Sequence, residues 1–169
     1  LRLAGLAANN GIKELTWEHM SIEREQGHLN SDIEKLTNMI LSSAIPIKMC
    51  LDPDHGDITS KNSDDYDPYV LIEKHLNKSS QLHLKQTSYD KRSNGPFTKI
   101  MNESGLIDAS RVLDSVKSAI DNKNELDFEL ILEINARERQ PDDSLIVERV
   151  EESLDYWRAN LASKGLAYI

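Results

Sequence analysis

The chain has 169 residues, enough for one domain with a sizeable core and too few for two ordinary ones. Hydrophobic residues make up 38% and charged residues 29%, the balance of a soluble globular chain and not of a disordered one. With 20 Lys and Arg against 29 Asp and Glu, the net charge of −9 removes any general attraction to nucleic acid or an anionic membrane. No apolar run approaches the roughly 18 residues that a bilayer span needs. The single cysteine, Cys50, excludes an internal disulfide and fits a reducing, cytoplasmic setting. Leu1 stands where a Met would open a chain, inside a helix-like stretch (Leu3, Leu6, Ala7), so a preceding segment is expected.

Strand and helix signals then alternate. Asn9-Asn10-Gly11 stops the opening helix, and Glu14 to Glu18 is a short strand. Ser31-Asp32-Ile33-Glu34 reads as a capping box, followed by Ile33, Leu36 and Ile40 at helical spacing. Pro46 to Leu51 is a nearly continuous apolar run ending at Asp52, as in a strand buried on both faces. Asp64, Asp65 and Asp67 lead through Pro68 into a helix over Tyr69 to Leu76. Leu82 to Gln86 is the third strand, and a long loop with Asn94-Gly95-Pro96 follows. Asp108 caps a helix with the stripe Ala109, Val112, Val116, Ala119 and Ile120. Phe128 to Leu132 is the fourth strand. Asp142 to Ser144 opens a last helix with Val147, Val150, Leu154, Trp157 and Leu161 on one face. Four βα units in succession predict a parallel sheet with crossover helices. No Gly-rich phosphate loop follows any strand, which disfavours nucleotide-binding readings.

What each strand delivers at its C-terminal end is the informative feature. The first ends in Glu18, the second in Asp52, the third carries His83 and the fourth ends in Glu133. In a parallel barrel these ends converge on the face where active sites lie. Three carboxylates and an imidazole aimed into one space repel unless a cation sits among them. An oxygen-rich set with one His suits Mn²⁺, Mg²⁺ or Co²⁺, with Zn²⁺ also compatible.

These residues resemble the xylose-isomerase-like TIM barrels, a superfamily of sugar and sugar-phosphate isomerases and epimerases that also contains endonuclease IV. Leu51-Asp52-Pro53-Asp54-His55 is similar to that family's Asp-x-x-His after the sixth strand. Leu82-His83-Leu84 resembles its seventh-strand His and Leu132-Glu133 its eighth-strand Glu. Trp17-Glu18-His19-Met20 with Arg24-Glu25 resembles the fifth-strand segment of the branch acting on erythrulose phosphates. The resemblance implies that residues 1–169 are the C-terminal half of one (β/α)8 barrel, its last four βα units. It implies one divalent ion held by Glu18, Asp52, His83 and Glu133. Glu18 and Glu133 would also be the acid/base pair, and His55 would hold a substrate oxygen. The implied function is isomerisation or epimerisation of a ketose or sugar phosphate by proton transfer next to a carbonyl.

Two rivals stand beside that expectation. One is an endonuclease IV-like phosphodiesterase, disfavoured because Tyr89-Asp90-Lys91-Arg92-Ser93-Asn94-Gly95 lacks the His of that family's Asp-x-His. The other is a non-catalytic half barrel, whose open edges would favour self-association. Lys85 shares a face with His83 and is expected either to meet a substrate oxygen or to neutralise the carboxylates. Gln86 is expected near substrate. Among the loop cations Arg24, Lys91, Arg92, Arg137 and Arg139, one or two would clamp a phosphate, Arg137 foremost. His19 and His28 read as exposed or mouth-lining, His75 as surface, Cys50 as a core filler and Trp157 as core. Lys48 and Glu129, four residues below their strand-end carboxylates, are expected to pair at the barrel floor.

Overall fold

The computed structural model describes residues 1–88, 94–121, 128–134 and 144–166. Its strands are β1 (Leu15–Glu18), β2 (Ile47–Leu51), β3 (Ser79–Leu84) and β4 (Glu129–Leu132). They form one all-parallel sheet in the order β1-β2-β3-β4. Parallel neighbours need crossovers, and helices supply them. α2 (Asn30–Ile40) joins β1 to β2, α3 (Pro68–His75) joins β2 to β3, and α4 (Lys99–Ser104) and α5 (Ala109–Asp121) lie between β3 and β4, while α1 (Arg2–Asn9) precedes β1 and α6 (Ile146–Ser163) follows β4. α4 lies in the stretch expected to be a loop, begun by the Thr98 hydroxyl accepting from the Met101 N–H.

The period of two divides the sheet into an oily face and a polar face. Met49, Leu51, Leu82 and Leu84 point toward the helices and are buried with Ile33, Leu71, Ile72, Val112, Leu113, Val116 and Trp157. Each such side chain contributes about 2 kcal/mol by leaving water. The alternate residues Lys48, Cys50, Gln81, His83 and Glu129 face the other way. Apolar area therefore holds the helices on one side, and the opposite face is left for polar chemistry.

Several expectations need correction. α2 begins at Asn30, so Ser31 is inside the helix and its side chain makes no cap bond. The Asn30 N–H donates instead to Asp65 Oδ1 at 2.9 Å, from the loop before α3. That loop thus caps α2 from 35 positions away. His75 is not at the surface but 1% exposed, with Nε2 donating to Asn30 Oδ1 at 2.5 Å. His19 is likewise fully buried, and Gly27 at φ +80° lets the following loop pass it closely. Val147 is 63% exposed, and the buried face of α6 instead carries Ser153, whose Oγ accepts from the Phe97 N–H at 2.8 Å. Only the C-terminal half of β2 is buried on both faces, because Lys48 is exposed.

The expected Lys48–Glu129 pair does not form. Lys48 Nζ pairs with Glu14 Oε2 at 3.0 Å, while Glu129 Oε2 accepts from Gln81 Nε2 at 3.1 Å. β2 and β4 are next-nearest strands, about 10 Å apart, with β3 between them. Asp142, named for the start of the last helix, lies outside the described residues, as do Lys91, Arg92, Arg137 and Arg139. Among the described residues β1 and β4 each have one strand neighbour, the condition behind the expected self-association.

Burial sets the acid limit of this fold. It pushes His75 down to about 3, helped by the charge of Lys78, and His19 down to about 4, helped by His55. Both unfolded imidazoles take a proton near 6.5, so below that pH the unfolded chain binds more protons than the folded one. Their stabilising contribution is complete above pH 6.5 and falls as the pH drops toward 4. Urea unfolding across pH 4 to 7.5 should show this decline, and His75→Gln should flatten it.

Candidate functional site

The C-terminal ends of the strands bring four of the expected residues together. Glu18 closes β1, Asp52 follows β2, His83 lies on β3 and Glu133 follows β4. Each offers one ligating atom, and these atoms all lie within 4.8 Å of one another. Glu18 and Glu133 come from the two outer strands, so they flank the cluster from opposite edges. The Glu133 N–H donates to the Leu84 carbonyl at 2.9 Å, which carries the β3–β4 ladder up to the site.

Lys85 stands at the centre of this group. Its Nζ donates to Asp52 Oδ2 at 2.5 Å and Glu133 Oε2 at 3.0 Å, and lies 3.2 Å from His55 Nε2. Both Lys85 and Asp52 are buried, at 3% and 0% exposure. Burial alone would push the Asp52 carboxyl up. His55, Lys85 and the Asp54 N–H hold it below the ordinary carboxylate range instead. Burial would also lower Lys85, but Asp52 and Glu133 raise it above the usual ammonium value. The pair is therefore ionised at neutral pH.

The remaining oxygens are held from neighbouring loops. Asp52 Oδ1 accepts from the Asp54 N–H at 2.9 Å, and Glu133 Oε1 accepts from Asn94 Nδ2 at 2.9 Å. Asn94 reaches Glu133 because Gln86 and Gly95 form an antiparallel bridge that turns the loop back over β3. In the sequence Asn94 is part of a long loop, and no local signal points to a partner 39 positions away. His55 Nδ1 lies 3.0 Å from the His19 carbonyl. A carbonyl only accepts, so Nδ1 carries the proton, and in the neutral ring Nε2 presents its lone pair to Lys85.

A divalent ion fits this donor set. Glu18 Oε1 and His83 Nδ1 are buried, lie 3.5 Å apart and have no hydrogen-bond partner. Two buried ligating atoms with idle lone pairs beside two further carboxylates are what a cation would satisfy. Cys50 lies beside them, but burial, then Glu18 and Asp52, push its thiol up to about 12, so it is no nucleophile.

Other expected contacts are placed elsewhere. Gln86 Nε2 donates to Asn102 Oδ1 and the Ile107 carbonyl, and its Oε1 accepts from the Thr87 and Ile107 N–H groups. Its amide is spent on bracing the loop before α5, with Gly105 packed so closely that a Cβ there would collide with it. Arg24 is exposed and pairs with Glu25 at 2.9 Å. His28 lies 3.4 Å from Asp32 of α2. Arg137 is outside the described residues.

Removing the charge of Asp52 should be costly, because it strips Lys85 of its shortest partner in a buried setting. Asp52→Asn is expected to destabilise the ion-free protein by about 3 kcal/mol at pH 7, read from urea unfolding.

No family model matches the chain. It is 36% identical over 159 residues to a D-erythrulose 1-phosphate 3-epimerase of Brucella abortus, an alignment covering 92% of this chain and 49% of that protein. Its structure superposes on that of a candidate xylose isomerase from Rhodospirillum rubrum with a TM-score of 0.74 and 18% identity, over 94% of this chain and 51% of the other. The chain spans about half the length of each. In sequence the chain is similar to one half of a sugar-phosphate epimerase, and in fold to one half of a xylose-isomerase-like protein.

Proposed function

We propose that this chain supplies the metal-binding and catalytic half of a sugar-phosphate epimerase or isomerase built on a (β/α)8 barrel, with residues 1–169 as its C-terminal half. The observation carrying this reading is the convergence of Glu18, Asp52, His83 and Glu133 at one end of a parallel sheet. The name of the Brucella protein supports a ketose phosphate as the substrate class. Glu18, Asp52, His83 and Glu133 would hold one divalent ion, Mn²⁺, Mg²⁺ or Co²⁺ by its donor chemistry, with Zn²⁺ also accommodated. When bound, that ion supplies positive charge against the negative charge that develops on adjacent substrate oxygens.

The chain's own residues perform the proton transfers. Glu18, at the end of β1 on one edge of the cluster, takes the proton from the carbon next to the carbonyl as a carboxylate. Glu133 approaches from the opposite edge and, in its protonated form, returns a proton to the other face of that carbon. One proton leaves and one arrives, so configuration inverts with no net redox change. Asn94 fixes the Glu133 carboxyl through Oε1. His55, with Nδ1 tied to a carbonyl, offers Nε2 to a substrate hydroxyl once that hydroxyl displaces the contact with Lys85. Arg137, which follows β4 in sequence, is the proposed phosphate contact. The phosphodiesterase alternative gains no support among the described residues, whose candidate ligand groups all fall within this one cluster.

Incubation with a 1-phosphorylated ketotetrose and Mn²⁺ in D₂O tests the reading directly. Deuterium should enter the carbon next to the carbonyl, followed by NMR. Glu133→Gln should reduce exchange by several orders of magnitude while retaining weak substrate binding. Near-normal exchange in that variant would refute the assignment, and hydrolysis of a phosphodiester in its place would favour the nuclease alternative.

A further inference from the structure

Lys85 has a property that the acid/base reading leaves unused. Its ammonium has three N–H donors and three acceptors around it: Asp52 Oδ2, Glu133 Oε2 and His55 Nε2. In the substrate-free geometry all three donors are engaged, two of them on the carboxylates that stay its partners when a substrate hydroxyl takes its place on His55. Lys85 directly follows β3, the strand between β2 and β4, and its Nζ spans the two carboxylates that those neighbours deliver.

We propose that Lys85 is a fixed internal countercharge that restricts this site to a single divalent ion. Before substrate arrives, Glu18, Asp52 and Glu133 as carboxylates together carry three negative charges, and Lys85 cancels one of them. The two that remain equal the charge of one divalent ion. Each carboxylate oxygen on Lys85 keeps a second lone pair, so a bound ion and the ammonium share the carboxylates without displacing one another. Lys85 is thus a positioning residue that acts through Asp52 and Glu133. This inference rests on reading the four-group cluster as a one-ion site.

Ion selectivity is the readout, because a packing role would leave it unmoved. The purified, metal-free protein is titrated separately with Mn²⁺, followed by the electron spin resonance of the free ion, and with Tb³⁺, followed by its luminescence. The same titrations are run on Lys85→Met and Lys85→Arg. The wild type should bind one Mn²⁺. Lys85→Met should bind Mn²⁺ at least about tenfold more tightly, because a buried like charge has gone. Its affinity for Tb³⁺ should rise by a larger factor, since the site now carries three uncompensated charges. Lys85→Arg, which keeps the charge, should retain the wild-type ratio of the two ions. If Lys85→Met folds only with an ion present, its thermal midpoint should be restored further by Tb³⁺ than by Mn²⁺, and the proposal stands. Equal or weaker Mn²⁺ binding with an unchanged ion ratio would overturn it, as would an Arg variant that behaves like the Met variant or a Met variant that neither ion restores. A wild-type protein that binds no Mn²⁺ would remove the one-ion reading itself, a failure distinct from the others.

Discussion

Three carboxylates collected at one end of a sheet cannot stand without a cation, and this requirement organises the molecule. Asp52 is fully buried, where an unpaired negative charge would cost several kcal/mol. The cation that the chain itself provides is Lys85. Its place directly after β3 is decisive, because a side chain at the end of a central strand reaches what both neighbours deliver. Lys48, one strand over, shows the converse: it finds Glu14 on the adjoining side and never approaches Glu129. Charge neutralisation is therefore a matter of strand order as much as of residue type.

Behind the carboxylates a second tier of buried polar groups holds the site's geometry. The His19 carbonyl orients His55, and the His19 and His55 rings meet edge to face at 5.9 Å. His75 bonds Asn30, the first residue of α2, whose N–H is held by Asp65. Asp65 in turn accepts from Ser60 at 2.7 Å. Hydrogen bonds thus tie the loop after β2 to α2 and α3 beneath the site. Such support keeps ligating oxygens within a narrow range of positions, the condition for binding an ion and substrate productively.

The apolar layer supplies the rigidity on which this depends. Phe97, Tyr156 and Trp157 pack with centroids 5.1–5.9 Å apart, joining the loop after β3 to α6. Tyr69 passes the same constraint to α5: its hydroxyl donates to the Leu106 carbonyl and accepts from the Asp108 N–H. Arg111 stacks on its ring at 3.7 Å. The loop that presents Asn94 to Glu133 is therefore clamped close to its return point, by Ser153 on the Phe97 N–H and by the bridge at Gly95.

The order of strands, their parallel sense, the stripe of α5 and the four strand-end residues were all legible in the sequence. Each depends on periodicity or on position within a local element, and local geometry alone decides which way such a side chain points. What tertiary structure alone decided was who meets whom. Gln86 was expected near substrate, yet its amide is consumed by a loop some 20 positions on. His75, within a helix, was read as surface, but the start of α2 covers it. Asn94 carried no sign of its link to Glu133, nor Asp65 of its role as the cap of a distant helix. Sequence periodicity specifies directions within an element, whereas hydrogen bonds between elements depend on distances that exist only after the helices have packed on the sheet.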